Sequence, residues 1–546
     1  MVNAEELRSL IKGEVDISED GLALASHDAS IFEVRPVAVV HPRSVDDIQK
    51  LVRYASEHPG ITLTARAAGT DMSGGPLTES VVVSFTKYFN KVKQVGEGFA
   101  VTEPGVYYRD FDKETMSKGG QIMPSYPASR ELCTVGGMVA NNSGGEKTLT
   151  YGKTIKYVRR LKMVCTDGNE YQFSPLNATE LEQKKALDTF EGSLYRGMFD
   201  LIERNREAIE AARPSVSKNS CGYYLWDVYD RKTGTFDLTK VIVGAQGTLG
   251  LITEIEFGLV RPKKHSHLLV VFLTDLAQLG ETAADILRYK PESFESYDDQ
   301  TFKVALKFLP QLVHQMKGNV LLLGLQFLPE MLAVIEGGVP KLVLMAEFTA
   351  DTDEEALEKA LEAQISLRNL HEKSKVTRTA RAENKYWVIR RESFNMLRKH
   401  VHGVRTAPFI DDFVVHPSLL PKFLPRLYKL LEPYKKELVY TIAGHVGDGN
   451  FHIIPLMDLN KERAHEIIEQ LSIQVYSLVH EFGGSITGEH NDGIIRTPFV
   501  KMQYGEEVYR LFEKTKMIWD PKGIFNPGKK VGGTLDYAFK HIVRIS

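Results

Sequence analysis

Two histidines seven apart, His445 and His452, flank a glycine-rich turn in GHVGDGNFHIIP, residues 444–455. Imidazole nitrogens can share a cation, and a neutral imidazole can take a proton near neutral pH. Asp448-Gly449 is a strong signal for a two-residue hairpin turn. Around that turn His445 would face His452, with Cβ atoms about 4.5–5.5 Å apart on one sheet face. The stretch also reads as a plain turn that carries two histidines, and the spacing alone leaves both readings open. Further along, SITGEHNDGIIRTP (485–498) reads as a short strand ending in Glu489-His490. Glu489 offers a carboxylate as a third ligand, and His490 offers a base. Neighbours on a strand point to opposite faces, so one could meet an ion while the other meets a substrate. Taken alone, the pair also reads as a surface Glu-His at a strand end.

Elements on both sides must position these residues. LVYTIAGHV and FHIIPLM read as the two arms of the hairpin. Upstream, EVRPVAVVHP is a strand leaving through a proline, and SVDDIQKLVRYASEH is an amphipathic helix with Ser44 as N-cap. ITLTARAAGT, VVVSF (81–85) and FAVTEPGV are strands, and VRRLKMVCTDGNEYQF is a hairpin through Asp167-Gly168. KVIVGAQGTLGLITEIEFGLVRP reads as a glycine-punctuated strand pair. The texture changes around 262–267. Beyond it, LLVVFL (268–273), a helix over 276–289, ESFESYD, VLLLGLQF, KLVLMAEFTA and the helix DEEALEKALEAQISLRNL suggest a mostly antiparallel α+β domain. The tail EEVYRLFEKTKMIWDPKGIF is a helix stopped by proline.

Three loops in the first half, TARAAGTDMSGG (64–75), PSYPASRELCTVGGMVANNSGG (124–145) and GAQGTLGLITE (244–254), set glycines beside small or hydroxyl residues next to strands. Glycine lets backbone N–H groups approach a ligand and form anion nests. Together the three loops suit a large dianionic cofactor such as a dinucleotide. No G-x-G-x-x-G occurs, and Gly152-Lys153-Thr154 lacks the earlier glycine of a P-loop, so neither of those phosphate motifs is supported.

In this order the loops resemble the FAD-binding domain of the vanillyl-alcohol oxidase/PCMH flavoprotein superfamily. Arg66, Ala68, Gly69, Thr70, Asp71, Ser73, Gly74 and Gly75 stand in an R-x-x-G-T-x-x-S-G-G loop. Pro127, Ser129, Thr134, Gly136, Gly137, Asn141, Ser143 and Gly144 match its second segment, and Gly247, Gly250 and Ile252 its third. G-H-x-G-D-G-N-x-H, G-E-H and a closing D-P-x-x-x-x-N-P-G-K with Asn526 resemble the FAD-linked 2-hydroxy-acid dehydrogenases and oxidases. That family includes D-lactate dehydrogenase, the glycolate oxidase flavin subunit and D-2-hydroxyglutarate dehydrogenase. The likeness spans roughly residues 30 to 531.

The resemblance implies an α+β chain. A PCMH-type FAD-binding domain of two α+β subdomains is expected over 1–262. A ferredoxin-like antiparallel-sheet cap is expected over 263–531, its end returning to the FAD domain, with a tail over 532–546. It implies FAD as cofactor, bound non-covalently because Thr70 and Asp71 follow Gly69 where some relatives carry a linking histidine. It implies a divalent zinc, manganese or iron ion on His445, His452 and Glu489, with His490 as base. Arg390, in a W-x-x-R segment, would bind the substrate carboxylate, in preference to Arg391. The implied reaction oxidises a small 2-hydroxy acid, D-lactate or glycolate, to the 2-keto acid. The electron acceptor is left open among a quinone, a cytochrome, an electron-transfer flavoprotein and oxygen.

Two departures stand out. Enzymes of D-2-hydroxyglutarate carry a lysine where this chain has Ile410, flanked by Asp411 and Asp412, which favours a monocarboxylate. The family's G-E-H-G-I-G is GEHNDG here, which sets Asn491 and Asp492 near the base. Two other functions share the fold. An alkylglycerone-phosphate-synthase-like transferase would show a late run of histidines, which is missing. Sugar or aromatic-alcohol oxidases generally lack the two-histidine hairpin.

Composition narrows the setting. Hydrophobic residues make up 43% of 546, enough for several cores. The 68 basic and 71 acidic residues leave a net charge of -3, with no basic block to attract nucleic acid. Three scattered cysteines, Cys133, Cys165 and Cys221, form no iron–sulfur or disulfide framework. The polar N-terminus does not read as a signal peptide, and no apolar run reaches about 18 residues. A cytoplasmic enzyme, peripheral to a membrane or free of it, is expected, and a homodimer is compatible with the sequence.

Overall fold

The computed structural model describes residues 3–307, 339–370, 373–400 and 404–543; the strand expected at VLLLGLQF (320–327) lies outside them. Three sheets organise the chain. The first joins β1 (Glu14–Asp16), β2 (Ala38–His41), β4 (Val81–Ser84) and β3 (Leu63–Arg66), in that order. β2, β4 and β3 run parallel, and β1 adds an antiparallel edge. The helix Val45–Glu57 forms the crossover. Ser44 Oγ accepts from the Asp47 N–H as its N-cap. Ile48, Leu51, Val52 and Ala55 turn one face into the core with Val81 and Val83. Burying each of the larger apolar side chains stabilises by about 1.5–3 kcal/mol.

The second sheet has the order β5 (Val92–Gly96), β6 (Phe99–Thr102), β11 (Leu251–Gly258), β7 (Val158–Val164) and β8 (Glu170–Phe173). β7 and β8 form the hairpin expected through Asp167-Gly168. β9 (Tyr229–Asp230) and β10 (Thr235–Phe236) make a separate two-residue ribbon. The expected strand at KVIV is instead a short helix, Thr239–Ile242. Asp237 Oδ1 accepts from the Thr239 N–H and hydroxyl at 2.9 and 2.6 Å, a local side-chain turn that competes with strand pairing.

The third sheet is antiparallel and seven-stranded. Its order is β15 (Lys373–Val376), β12 (His265–Leu273), β14 (Leu342–Ala350), β13 (Ser293–Asp298), β18 (Ile442–His445), β19 (Asn450–Ile453) and β17 (Phe413–Val414). β16 (Arg405–Thr406) pairs with β20 (Leu456–Met457) beside it. The helix Ala380–His400 covers one face of this sheet, where Tyr386, Trp387 and Ile389 pack with Tyr297, Leu268 and Val343. The chain then returns to the first sheet. Phe525 bridges Leu63, and the Asn526 N–H donates to the Leu63 carbonyl. The architecture is a pair of α+β subdomains with an antiparallel-sheet cap. Among the described residues, no helix is long and apolar enough to cross a membrane.

Candidate active site

The register of the histidine hairpin differs from the sequence expectation. Ala443 pairs with His452 and His445 with Asn450, so His445 does not face His452. The turn has four residues, Val446–Gly449, with Val446–Asp448 in a 3₁₀ turn and Gly449 at φ 68°. A Cβ on Gly449 would stand 1.7 Å from the Val415 carbonyl oxygen, so that position requires glycine. The observed pairing is shifted by two residues. Side chains alternate with period two, so both histidines stay on one face. Their ring centroids lie 5.3 Å apart at 89°.

Glu489 completes the group. Its Oε1 lies 3.2 Å from His445 Nε2 and 3.4 Å from His452 Nε2. Ligand atoms around a tetrahedral ion with bonds of about 2.1 Å stand about 3.4 Å apart. The donor set and its spacing therefore fit a divalent cation. His490 stacks on His452 with ring centroids 4.9 Å apart, and it faces the same cavity.

The segment carrying Glu489 and His490 is a loop and not the strand expected. Only Ser485 bridges a strand neighbour, Val414. The cause is Asp412, itself at φ 67°. Its Oδ2 accepts from the Thr487 hydroxyl and from the N–H groups of Glu489 and His490, at 2.7, 2.9 and 2.7 Å. A loop held by one carboxylate can turn two successive side chains toward one site, which a strand cannot.

A layer of carboxylates orients the rings. Glu295 Oε1 lies 2.6 Å from His445 Nδ1. Asp411 meets His452 Nδ1 at 3.2 Å and His490 Nδ1 at 2.6 Å, one oxygen for each. In the neutral rings these partners keep the proton on Nδ1 and turn the Nε2 lone pairs toward the cavity. Lys218, fully buried, donates to Glu489 Oε2 at 3.1 Å and to Asn450 Oδ1 at 3.2 Å, leaving Oε1 toward the histidines. Burial alone would raise the Glu489 carboxyl; Lys218 and His445 reverse this and hold it well below the ordinary value. Burial would lower His452, yet the Asp411 and Glu489 carboxylates raise it to about 10. Positive charge is thus stable at this point. Glu295, Asp411, Asp412 and Lys218 were not assigned roles from sequence. They are distant in the chain, and no spacing rule connects them.

Asn491 and Asp492, expected near the base, face away from it. Asn491, at φ 69°, donates to the Gly244 and Asn141 carbonyls, and Asp492 pairs with buried Lys530 at 2.8 Å. Ile410 is fully buried in the core and is not part of the cavity wall.

The histidine cluster lines a cavity of about 700 Å³. Its walls include Arg66, Ala68, Gly69, Thr70, Asp71 and Gly75 of the first glycine loop. Pro127, Ser129, Thr134, Gly136, Gly137, Asn141, Ser143 and Gly144 of the second loop also line it, as do Gly247, Gly250 and Ile252 of the third. Ser73, Gly74 and Asn526 do not line the cavity; Ser73, through Gln246, and Asn526 lace the loops together. Asp71 Oδ2 accepts from the N–H groups of Ser73 and Gly75, and its Oδ1 accepts from Asn141 Nδ2 at 2.8 Å. Asn526 Nδ2 donates to the Gly75 and Gln246 carbonyls at 2.9 and 2.7 Å. The three loops are therefore one unit. Arg390 and Arg391 both border the cavity from the cap side. Arg390 pairs with Glu295 at 2.9 Å, while Arg391 pairs with Glu146 at 2.7 Å and lies over the Trp387 ring.

Residues 262–530 match the family described as FAD linked oxidases, C-terminal domain, and residues 36–174 match the FAD binding domain. The chain therefore carries the C-terminal domain of FAD-linked oxidases behind an FAD-binding domain. The chain is 27% identical over 96% of its length to a D-2-hydroxyglutarate dehydrogenase of Pseudomonas putida, of which it covers 51%. It spans about half the length of the first such relatives. It is 26% identical to the glycolate oxidase subunit GlcD of Bacillus subtilis, covering 94% of this chain and 93% of that one. Among solved structures, a 4-ethylphenol oxidase from Gulosibacter chungangensis superposes with a TM-score of 0.68 at 16% identity, over 97% of this chain and 96% of that one. At that identity the likeness concerns the fold.

Proposed function

We propose that this chain oxidises a small 2-hydroxy acid, D-lactate or a close analogue, to the 2-keto acid. One observation carries the reading. His445, His452 and Glu489 converge at a glycine-walled cavity, with His490 beside them. When bound, FAD would supply the hydride acceptor, and a divalent cation on the three ligands would lower the pKa of the substrate hydroxyl. The chain's own residues do the rest. Arg390 offers its guanidinium to the substrate carboxylate from the cap. His490, its Nδ1 held by Asp411, receives the hydroxyl proton at Nε2. The laced loops hold the flavin-binding wall, and the cap excludes water above it. His445, His452 and Glu489 suit zinc, manganese or iron.

A second reading, a 2-hydroxy dicarboxylate, is favoured by Arg391, which gives the cavity another guanidinium, and fits the names of the D-2-hydroxyglutarate relatives. A panel of D- and L-2-hydroxy acids with an artificial dye acceptor tests both. D-lactate should bleach the flavin anaerobically, and prior chelation should abolish turnover until zinc, manganese or iron is restored. Turnover that survives complete metal removal would sink the metal-assisted reading. Preference for 2-hydroxyglutarate over D-lactate would select the dicarboxylate.

A further inference from the structure

Strand alternation turns Glu295 and Tyr297 of β13 toward the covering helix Ala380–His400, where Tyr297 packs against Tyr386 and Ile389. Glu295 is 1% exposed, and its two oxygens go to different partners. Oε1 takes His445 Nδ1 at 2.6 Å. Oε2 takes Arg390 Nε at 3.0 Å and Nη2 at 2.9 Å. Both oxygens thus face N–H donors only, the setting of an acceptor-only carboxylate.

We propose that Glu295 is a positioning residue that couples two halves of the site. One oxygen fixes His445 in the tautomer that can bind a cation; the other holds Arg390 at the distance needed to meet a carboxylate on the same substrate. This rests on the metal-assisted reading above. The chemistry is specific to a carboxylate. Both partners are donors toward Glu295, and an ionised carboxylate is acceptor-only on both oxygens. An amide has one acceptor oxygen and one donor nitrogen, so it can satisfy only one side. Two N–H groups and a full positive charge on Arg390 compete harder for the amide oxygen than one imidazole N–H does. The amide nitrogen would then face His445 Nδ1, drive the proton to Nε2 and remove the lone pair that binds the cation.

The test uses the flavin-loaded protein with zinc and oxalate as probes. Oxalate presents adjacent oxygens for a cation and a carboxylate for Arg390. Zinc affinity is measured by chelator competition without substrate, and oxalate binding to zinc-saturated protein by perturbation of the flavin spectrum. Glu295→Gln should lower zinc affinity by about 10–100-fold, with oxalate binding little changed and flavin content equal to wild type. Glu295→Asp keeps both acceptors but draws them back by one methylene, about 1.5 Å. It reaches neither partner well and should weaken both zinc and oxalate. Both variants holding zinc as tightly as wild type would overturn the coupling while leaving the metal site standing. A wild-type protein that binds no zinc, manganese or iron would overturn the coupling and the metal-assisted reading together.

Discussion

At the scale of single residues, His490 is the sharpest commitment. Its Nδ1 is engaged by Asp411 at 2.6 Å, and its ring stacks on His452, so its position is fixed by two contacts. A positioned base contributes about 10²–10⁴-fold in rate. His490→Ala should therefore lower kcat by that range with flavin content unchanged, as read by steady-state dye reduction. A loss below tenfold would assign the proton to another group. His445, His452, Glu489 and His490 could be singled out in the sequence, because each carries donor chemistry in its own side chain. Their supports could not. Asp411, Glu295 and Lys218 act only through neighbours 41, 150 and 271 positions away, and an isolated Asp, Glu or Lys carries no sign of which ring or carboxylate it will meet. The case of Asn491 and Asp492 is the converse. Adjacent in sequence to the base, they turn their polar groups into the interior against Gly244 and Lys530. Proximity along the chain misplaced them because the loop reverses direction there.

At the scale of elements, the hairpin and the loop after it set the geometry. The turn was readable as glycine-rich and tight, but its length was not. Asp-Gly pairs signal a two-residue turn locally. The Val415 carbonyl against Gly449 and the pairing of β17 with β19 instead select a four-residue turn. Gly449→Ala would place a side chain at φ 68° and in collision with that carbonyl. Left-handed backbone alone costs a non-glycine residue roughly 1–2 kcal/mol. The variant should melt earlier than wild type and lose zinc to a chelator faster, while the glycine loops retain FAD. Equal zinc retention in the two proteins would mean that the turn does not set the ligand spacing. The loop of Glu489 and His490 was misread as a strand for a related reason. Its apolar-polar pattern suits a strand, and nothing local announces that Asp412 will capture three donors from it.

At the scale of the whole molecule, the cap and the FAD-binding part meet across paired charges. Lys147 pairs with Glu292 at 2.6 Å, and Arg391 with Glu146 at 2.7 Å. Glu347 lies among them. Burial raises its carboxyl to about 7, against the pull of Lys147. A carboxyl with a folded pKa above its unfolded value binds protons more tightly when folded. Its cost to stability is absent at acid pH and grows as pH rises from the unfolded value through about 7. Glu347→Gln should therefore raise the melting point at pH 8, by a free energy on the order of 1 kcal/mol, and change it little at pH 5. Thermal unfolding at the two pH values checks this, and an equal effect at both would remove Glu347 as the cause.

The sequence by itself determined the fold class and which donor side chains are on offer. Glycine loops, a helix cap at Ser44, alternating strands and the donor residues His445, His452, Glu489 and His490 are local properties of side chains and backbone, and local properties are written in order along the chain. Tertiary structure alone decided which carboxylate orients each ring, which lysine fixes Glu489, how long the histidine turn is and which way Asn491 points. Each of those is a contact between segments far apart in sequence, and only the packing of three sheets brings the partners within hydrogen-bond distance.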